Sequence, residues 1–251
     1  MRIDLRLKVL LLLTCCTYAC SVSAQTITAD TSNYAIAIQN AISAYHQFLS
    51  PQTSLYNGSE YVDYAYTINE GTPFFEDTQF SNGTVTYDDV LYTNVPILYD
   101  EVLEEVVIKD AYSRGKIILN TEKVTGFSML NQHFVKLSPD SSGKSPIRPG
   151  FYDVLYNSDI ISVYKRQTKK VLESVTVTLG LSRTIDEQND YFIKKGTIYY
   201  TVNSKRDVLN ITKDKKKEVQ QFIRKNKFNI RKQKDIALAK IAAYYNQLTI
   251  K

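Results

Sequence analysis

The sequence predicts an α+β fold: an N-terminal helix, an antiparallel meander sheet forming an open or partly rolled barrel, and two C-terminal helices packed on that sheet. Three observations carry the prediction. Apolar residues recur at helical spacing near the start, the period changes to two from about Thr84 to Ser204, and helical spacing returns at the end. Helix, then many strands, then helices is the order of an α+β domain rather than of alternating β-α units. A long meander has edges to protect, so some rolling of the sheet is expected.

Thr31 or Ser32 caps the first helix, which runs to about Leu49 with Ile38, Ala41, Ile42, Tyr45 and Leu49 on one face. Ser50-Pro51 stops it, and Leu55-Tyr56-Asn57-Gly58 reads as a turn. Thr84–Tyr87 and Leu91–Val95 then flank Asp88-Asp89, a tight hairpin. Glu105–Lys109 and Lys116–Leu119 follow, joined through Ser113-Arg114-Gly115. Gly126–Leu130 and His133–Leu137 flank Asn131-Gln132, while Phe151–Tyr156 and Ile160–Tyr164 flank Asn157-Ser158-Asp159. Tyr191–Lys194 and Thr197–Val202 flank Lys195-Gly196, and 138–149 reads as a loop. One terminal helix spans about Lys213 to Asn226 on Val219, Phe222 and Ile223. The other begins near Gln233 on Leu238, Ile241, Ala242, Tyr245 and Leu248.

Residues 1–24 read as a cleavable signal peptide, and 25–251 as one α+β domain. Arg2, Arg6 and Lys8 precede the apolar Val9–Leu13 run, and Val22-Ser23-Ala24 offers small residues before Gln25. The apolar run falls short of the roughly 20 residues that span a bilayer. All three cysteines, Cys15, Cys16 and Cys20, fall inside this segment. Lipidation at Cys20 competes with cleavage after Ala24, whose flanks suit signal peptidase better. Cleavage after Ala24 leaves no cysteine, which excludes disulfides, thiol nucleophiles and cysteine metal sites. The expected location is the periplasm, the outer envelope or the extracellular space.

Tyr56-Asn57-Gly58 with Glu60-Tyr61, Gly71-Thr72-Pro73-Phe74-Phe75, and Tyr87-Asp88-Asp89-Val90-Leu91-Tyr92 with Asn94-Val95 resemble stretches of secreted Bacteroidota proteins of unassigned function, as does Phe222-Ile223-Arg224-Lys225-Asn226-Lys227. The resemblance implies export and a single-unit fold. It brings no functional residues with it.

Little in the sequence points to catalysis. There are two histidines, His46 beside a helix face and His133 opening a strand, and no Gly-x-Ser-x-Gly or His-Glu-x-x-His spacing recruits either. Gly143-Lys144-Ser145 has Ser138 where a phosphate loop needs glycine, and it lacks the strand-to-helix setting. The carboxylate pairs Asp88/Asp89, Asp100/Glu101 and Glu104/Glu105 are turn residues and solvated strand faces on this reading, or in the alternative the acids of a secreted hydrolase. Tyr61, Tyr64, Tyr66, Tyr199 and Tyr200, from a total of 19 tyrosines, are candidates for a sugar- or peptide-binding strip. No catalytic residue, metal ligand or cofactor is therefore assigned.

Charge is segregated along the chain. Pro51–Asp110 holds twelve acids and one base, whereas Lys205–Lys251 holds fourteen bases and four acids. The two segments are expected to face each other, or else the bases face outward, with Lys215, Lys216 and Lys217 touching an anionic surface. Nucleic acid is not an expected partner of an exported chain. The function expected is that of a non-enzymatic module binding a small ligand or envelope component, with a structural or assembly role in the envelope as a further alternative.

Overall fold

The computed structural model describes residues 36–38, 40–41, 54–110, 115–139, 145–177 and 180–250. The chain divides into two units, Met1–Ile42 and Ser43–Lys251. In the first, residues 36–38, 40 and 41 are helical and exposed. The rest of the expected N-terminal helix, the three cysteines and His46 lie outside the described residues.

The second unit is one antiparallel sheet of eleven strands with helices at its C-terminal end. The strands are β1 (Ser59–Glu60), β2 (Ser81–Tyr87), β3 (Val90–Asp100), β4 (Glu105–Lys109), β5 (Lys116–Ile118) and β6 (Val124–Met129). They continue with β7 (Gln132–Leu137), β8 (Gly150–Tyr156), β9 (Ile161–Thr176), β10 (Gly180–Lys195) and β11 (Ile198–Thr201). Their order is β1-β5-β4-β3-β2-β6-β7-β8-β9-β10-β11, and the sheet does not close.

Local chemistry sets the hairpins. Asp88 and Asp89 both adopt positive φ, 49° and 61°, so β2 and β3 join through a two-residue turn whose twist matches the strands. The β6–β7 turn is Leu130-Asn131, one residue before the expected Asn131-Gln132. That placement keeps Phe127, Met129 and Phe134 on the buried side, and shifting by one residue would reverse the faces. Gly196-Thr197 likewise replaces Lys195-Gly196, because Lys195 still pairs with Ile198. Asn94, at φ 57°, is the extra residue of a bulge opposite Gly83. A side chain at Gly83 would meet the Ser128 carbonyl oxygen of β6, so only glycine lets β2 be flanked closely there.

Two cores result. Tyr99, Phe127, Phe134 and Phe151, from β3, β6, β7 and β8, stack at centroid distances between 4.7 and 5.9 Å. The second core lies between the sheet and the helices, with Ile161, Val163, Tyr191 and Ile193 against Val208, Val219, Ile223, Leu238 and Ile241.

There are three C-terminal helices rather than the expected two: α1 (Lys205–Ile211), α2 (Lys216–Lys225) and α3 (Lys234–Ile250). The Asp207 carboxylate accepts from the backbone N–H groups of Asn203 and Ser204 at 3.0 and 2.8 Å, which fixes the start of α1. β9 and β10 are also far longer than the expected 160–164 and 191–194. Their polar middles lack alternation, yet Arg166, Lys169, Lys170 and Glu173 stand opposite Asp190, Glu187, Asp186 and Arg183.

Leu238, Ile241 and Tyr245 of α3 are buried and Leu248 is half-buried. Each fully buried side chain of this size is worth about 1.5–3 kcal/mol. Truncation after Asn226 is expected to give a protease-labile or aggregated chain, read by limited proteolysis and thermal melting. A soluble product with an unchanged Tm would show α3 to be an appendage.

Candidate functional site

Most residues singled out in the sequence turn out to hold the fold together. The Asp100 carboxylate is fully buried and accepts from Tyr61 Oη at 2.7 Å, from Tyr64 Oη at 2.9 Å, and from the N–H groups of Val102 and Leu103 at 2.9 and 3.0 Å. Burial and this carboxylate push both tyrosine hydroxyls well up, so they remain protonated donors. The tyrosine strip is thus partly spent on clamping a turn.

Glu101, beside it, pairs with Lys169 Nζ at 2.9 Å, and both side chains are buried. Lys169 also donates to the Phe74 carbonyl at 2.6 Å, and Gln167 Nε2 donates to Glu101 at 3.3 Å. Burial raises the Glu101 carboxyl, while Lys169 and Gln167 pull the other way. Glu104 receives both its bonds from Arg166 Nη2 at 2.7 Å. Burial and the Asp100 charge raise Glu105. Asp88 and Asp89 are turn residues.

His133 is exposed, its Nδ1 2.8 Å from the hydroxyl of its cross-strand neighbour Ser128. Among the described residues no carboxylate holds the other ring nitrogen. Gly143 and Lys144 lie outside the described residues.

The site that sequence reasoning missed lies among the helices. A cavity of about 770 Å³ opens between the start of α1, the end of α2 and the loop 226–231. Lys205, Arg206, Arg224, Lys227 and Arg231 line it, above Ile223, Phe228 and Ile230. Among the described residues none of the five cations forms an ion pair. The single acid of the lining is Asp207. Burial opposes its charge, but the Asn203 N–H and the Ser204 hydroxyl and N–H hold the carboxyl below its ordinary value. Its Oδ2 takes all three bonds at the start of α1, and with five bases to one acid the lining keeps a net excess of positive charge.

The loop owes its shape to the end of α2. The Lys227 N–H reaches the Arg224 carbonyl at 3.1 Å, the Phe228 N–H reaches that of Ile223 at 3.2 Å, and the Phe228 ring lies 5.7 Å from that of Phe222. This is a Schellman ending, in which the left-handed position normally falls to glycine. Lys227 holds it here at φ 52°. The Asn229 side chain then accepts from the Arg231 and Lys232 N–H groups at 3.0 and 3.2 Å, turning the chain towards α3.

Lys216 and Lys217 are exposed and Lys215 is half-buried in the turn leading into α2, and none of them lines the cavity. The expected facing of the acidic and basic segments is not how the ion pairs run. Asp63, Asp88, Glu101 and Glu104 pair with Lys116, Lys123, Lys169 and Arg166. Among the described residues no helix is long and apolar enough to cross a membrane.

Comparison with protein-family models, with curated proteins and with solved structures gives no match.

Two buried acids yield predictions. Lys169→Met strands the Glu101 charge and should cost about 3–5 kcal/mol in urea unfolding. Glu101→Met with Lys169→Met should recover most of that, and a double variant no better than the single would contradict the pairing. Asp153 on β8 is 7 % exposed, and burial pushes its carboxyl up to about 6 against the pull of Lys165 and two backbone N–H groups. Between about pH 4 and that value the folded state holds a proton the unfolded chain has lost, so this group favours folding increasingly as pH falls. Asp153→Asn should therefore raise Tm most at about pH 7, with the difference from the parent shrinking towards pH 4. A difference independent of pH would count against a raised Asp153.

Proposed function

We propose that the protein is an exported, non-enzymatic binding module that takes an anionic ligand in the cleft between α1, α2 and the loop 226–231. The observation that supports this most is the convergence of Lys205, Arg206, Arg224, Lys227 and Arg231, without an ion pair among the described residues, on one cavity of about 770 Å³. That volume lies in the range of small-molecule sites, which run to about 300–1,000 Å³. Three of the five cations are arginines, whose planar forks match carboxylate, sulfate and phosphate groups with two hydrogen bonds each. The apolar floor of Ile223, Phe228 and Ile230 lowers the local dielectric beneath them and offers contact to a nonpolar part of the ligand.

Export supports the same reading, because the basic start, the apolar run and Val22-Ser23-Ala24 match the export machinery's requirements. The proposed setting is the periplasm, the outer envelope or the extracellular space.

Lys227 supplies an argument of its own. A non-glycine residue in the left-handed region costs on the order of 1 kcal/mol, and glycine would relieve it. The chain keeps a cation at that point of the cleft instead.

The test is thermal melting of the full chain in citrate, inorganic phosphate and sodium chloride at matched ionic strength. A ligand that binds the native state raises Tm with its concentration. Citrate or phosphate should stabilise beyond chloride, and Arg224→Glu with Arg231→Glu should abolish the excess. Lys227→Gly should raise the unliganded Tm while weakening the ligand-induced shift. Equal shifts in all salts, or shifts indifferent to the cleft substitutions, would remove the reading.

A further inference from the structure

The cleft is larger than one anionic group requires, and its cations do not end at its rim. One sulfate or phosphate satisfies two or three donors, whereas Lys205, Arg206, Arg224, Lys227 and Arg231 surround about 770 Å³. Beyond the lining, Lys225 and Lys232 are exposed beside Arg224 and Arg231 in sequence, and Lys216 and Lys217 are exposed at the far end of α2. At 1.5 Å per residue, Lys216 stands about 12 Å along the helix axis from Arg224. Cations therefore stand at both ends of α2 rather than at a single point, with the exposed Glu218 and the uncharged Gln220 and Gln221 between Lys217 and Arg224. Resting on the anion-binding reading, we infer that the ligand is an extended acidic polysaccharide, seated in the cleft by one segment and continuing along α2.

Charge distribution favours a polymer over a compact anion. A chain with one acidic group per sugar presents anions at intervals, and each cation it neutralises releases counterions and adds to affinity. The sugar rings between those groups have apolar faces, which suits a floor of Ile223, Phe228 and Ile230 between basic walls. Single-stranded nucleic acid carries the same charge pattern but binds through bases stacked on free aromatic faces. The one aromatic ring of the lining, Phe228, is half-buried, lies 5.7 Å from Phe222 and has Lys240 Nζ 6.0 Å from its centroid. A flat anionic bilayer meets a convex surface, while these cations line a concave one.

The experiment is isothermal titration of the full chain with galacturonic acid, an oligogalacturonate of about ten units, single-stranded DNA of equal charge and phosphatidylglycerol vesicles. The oligomer should bind at least about 100-fold more tightly than the monomer, since linked groups act at high effective concentration. Its affinity should fall steeply with salt, with a slope reporting several neutralised anions. Arg224→Glu with Arg231→Glu should weaken the oligomer at least tenfold. Lys216→Glu with Lys217→Glu should weaken it by a smaller but measurable factor and leave the monomer unchanged, with melting curves confirming intact folding. Equal affinity for monomer and oligomer, or no effect of the Lys216 and Lys217 change, would overturn the extended ligand while leaving an anion-binding cleft in place. Tighter binding of DNA or of vesicles than of the oligomer would overturn the polysaccharide. Failure of oligomer, citrate and phosphate alike would remove the cleft reading itself.

Discussion

A carboxylate and an ammonium that leave water together need each other, and Glu101 and Lys169 meet at one junction. There Lys169 and Gln167 both reach Glu101 Oε2, while the buried Oε1 has no hydrogen-bond partner among the described residues. The Lys169 N–H bonds the Glu101 carbonyl, the Glu101 N–H bonds the Pro73 carbonyl, and the Lys169 ammonium reaches the Phe74 carbonyl. The end of β3, the middle of β9 and the 73–75 segment are thereby tied at one point. Such a pair adds little net stability over apolar residues of the same size, since desolvation offsets the attraction. Its contribution here is to register. The middles of β9 and β10 are polar on both faces, and strands of that kind slip easily. Opposite charges facing each other across the ribbon disfavour each wrong register, and the Glu101 anchor selects one position along β9.

The same economy divides the molecule electrostatically. Three carboxylates of the acidic stretch are taken up by the fold, Asp100 by hydroxyls and backbone N–H groups, and Glu101 and Glu104 by bases on β9, while Glu60, Glu70, Glu76 and Asp77 stay exposed. Two of the four acids of the basic stretch reach back to the sheet, Asp214 to Lys195 and Asp235 to Lys165. Those contacts fix the helices on β9 and β10, and Asp207 is spent on the cap of α1. Among the described residues the cations around the cleft form no ion pair, although Arg206 acts on Asp207 and helps to lower its carboxyl. An exposed pair contributes only about 0–1 kcal/mol, so the excess of bases there follows no folding requirement.

β2 was legible by alternation against an apolar core, whereas β3, β4, β8 and the root of β9 were legible as short runs rich in β-branched and aromatic residues, and the structure buries consecutive residues in each of them. Asp88-Asp89 was legible as a turn for the same reason that it adopts positive φ. The outer ribbon was not, since Lys165–Lys170 and Asp186–Asp190 carry no apolar alternation, and their complementarity shows only once β9 and β10 are paired. The Ser204…Asp207 spacing was a readable helix start, masked by the strand just before it. Turns misplaced by one residue, at Leu130 and Gly196, reflect a choice between neighbouring polar residues that the buried faces decide. The cleft was legible only as excess charge: Lys205 and Arg231 belong to one surface because α2 reverses the chain between them.

Lys227 joins the two halves of this account. Its N–H and that of Phe228 close α2, and the Phe228 ring seals the end against Phe222, so the backbone there must be left-handed whatever the side chain. Folding alone would favour glycine at such a position, and a small polar residue next. A lysine can be held there because the ending is fixed from both sides, by two hydrogen bonds before it and by the Asn229 turn after it. A strained residue that the surrounding structure over-determines is characteristic of binding sites. At Lys227 the strained residue is also a cation lining the cleft of about 770 Å³, so the irregular end of α2 shapes both the helix packing and the cleft.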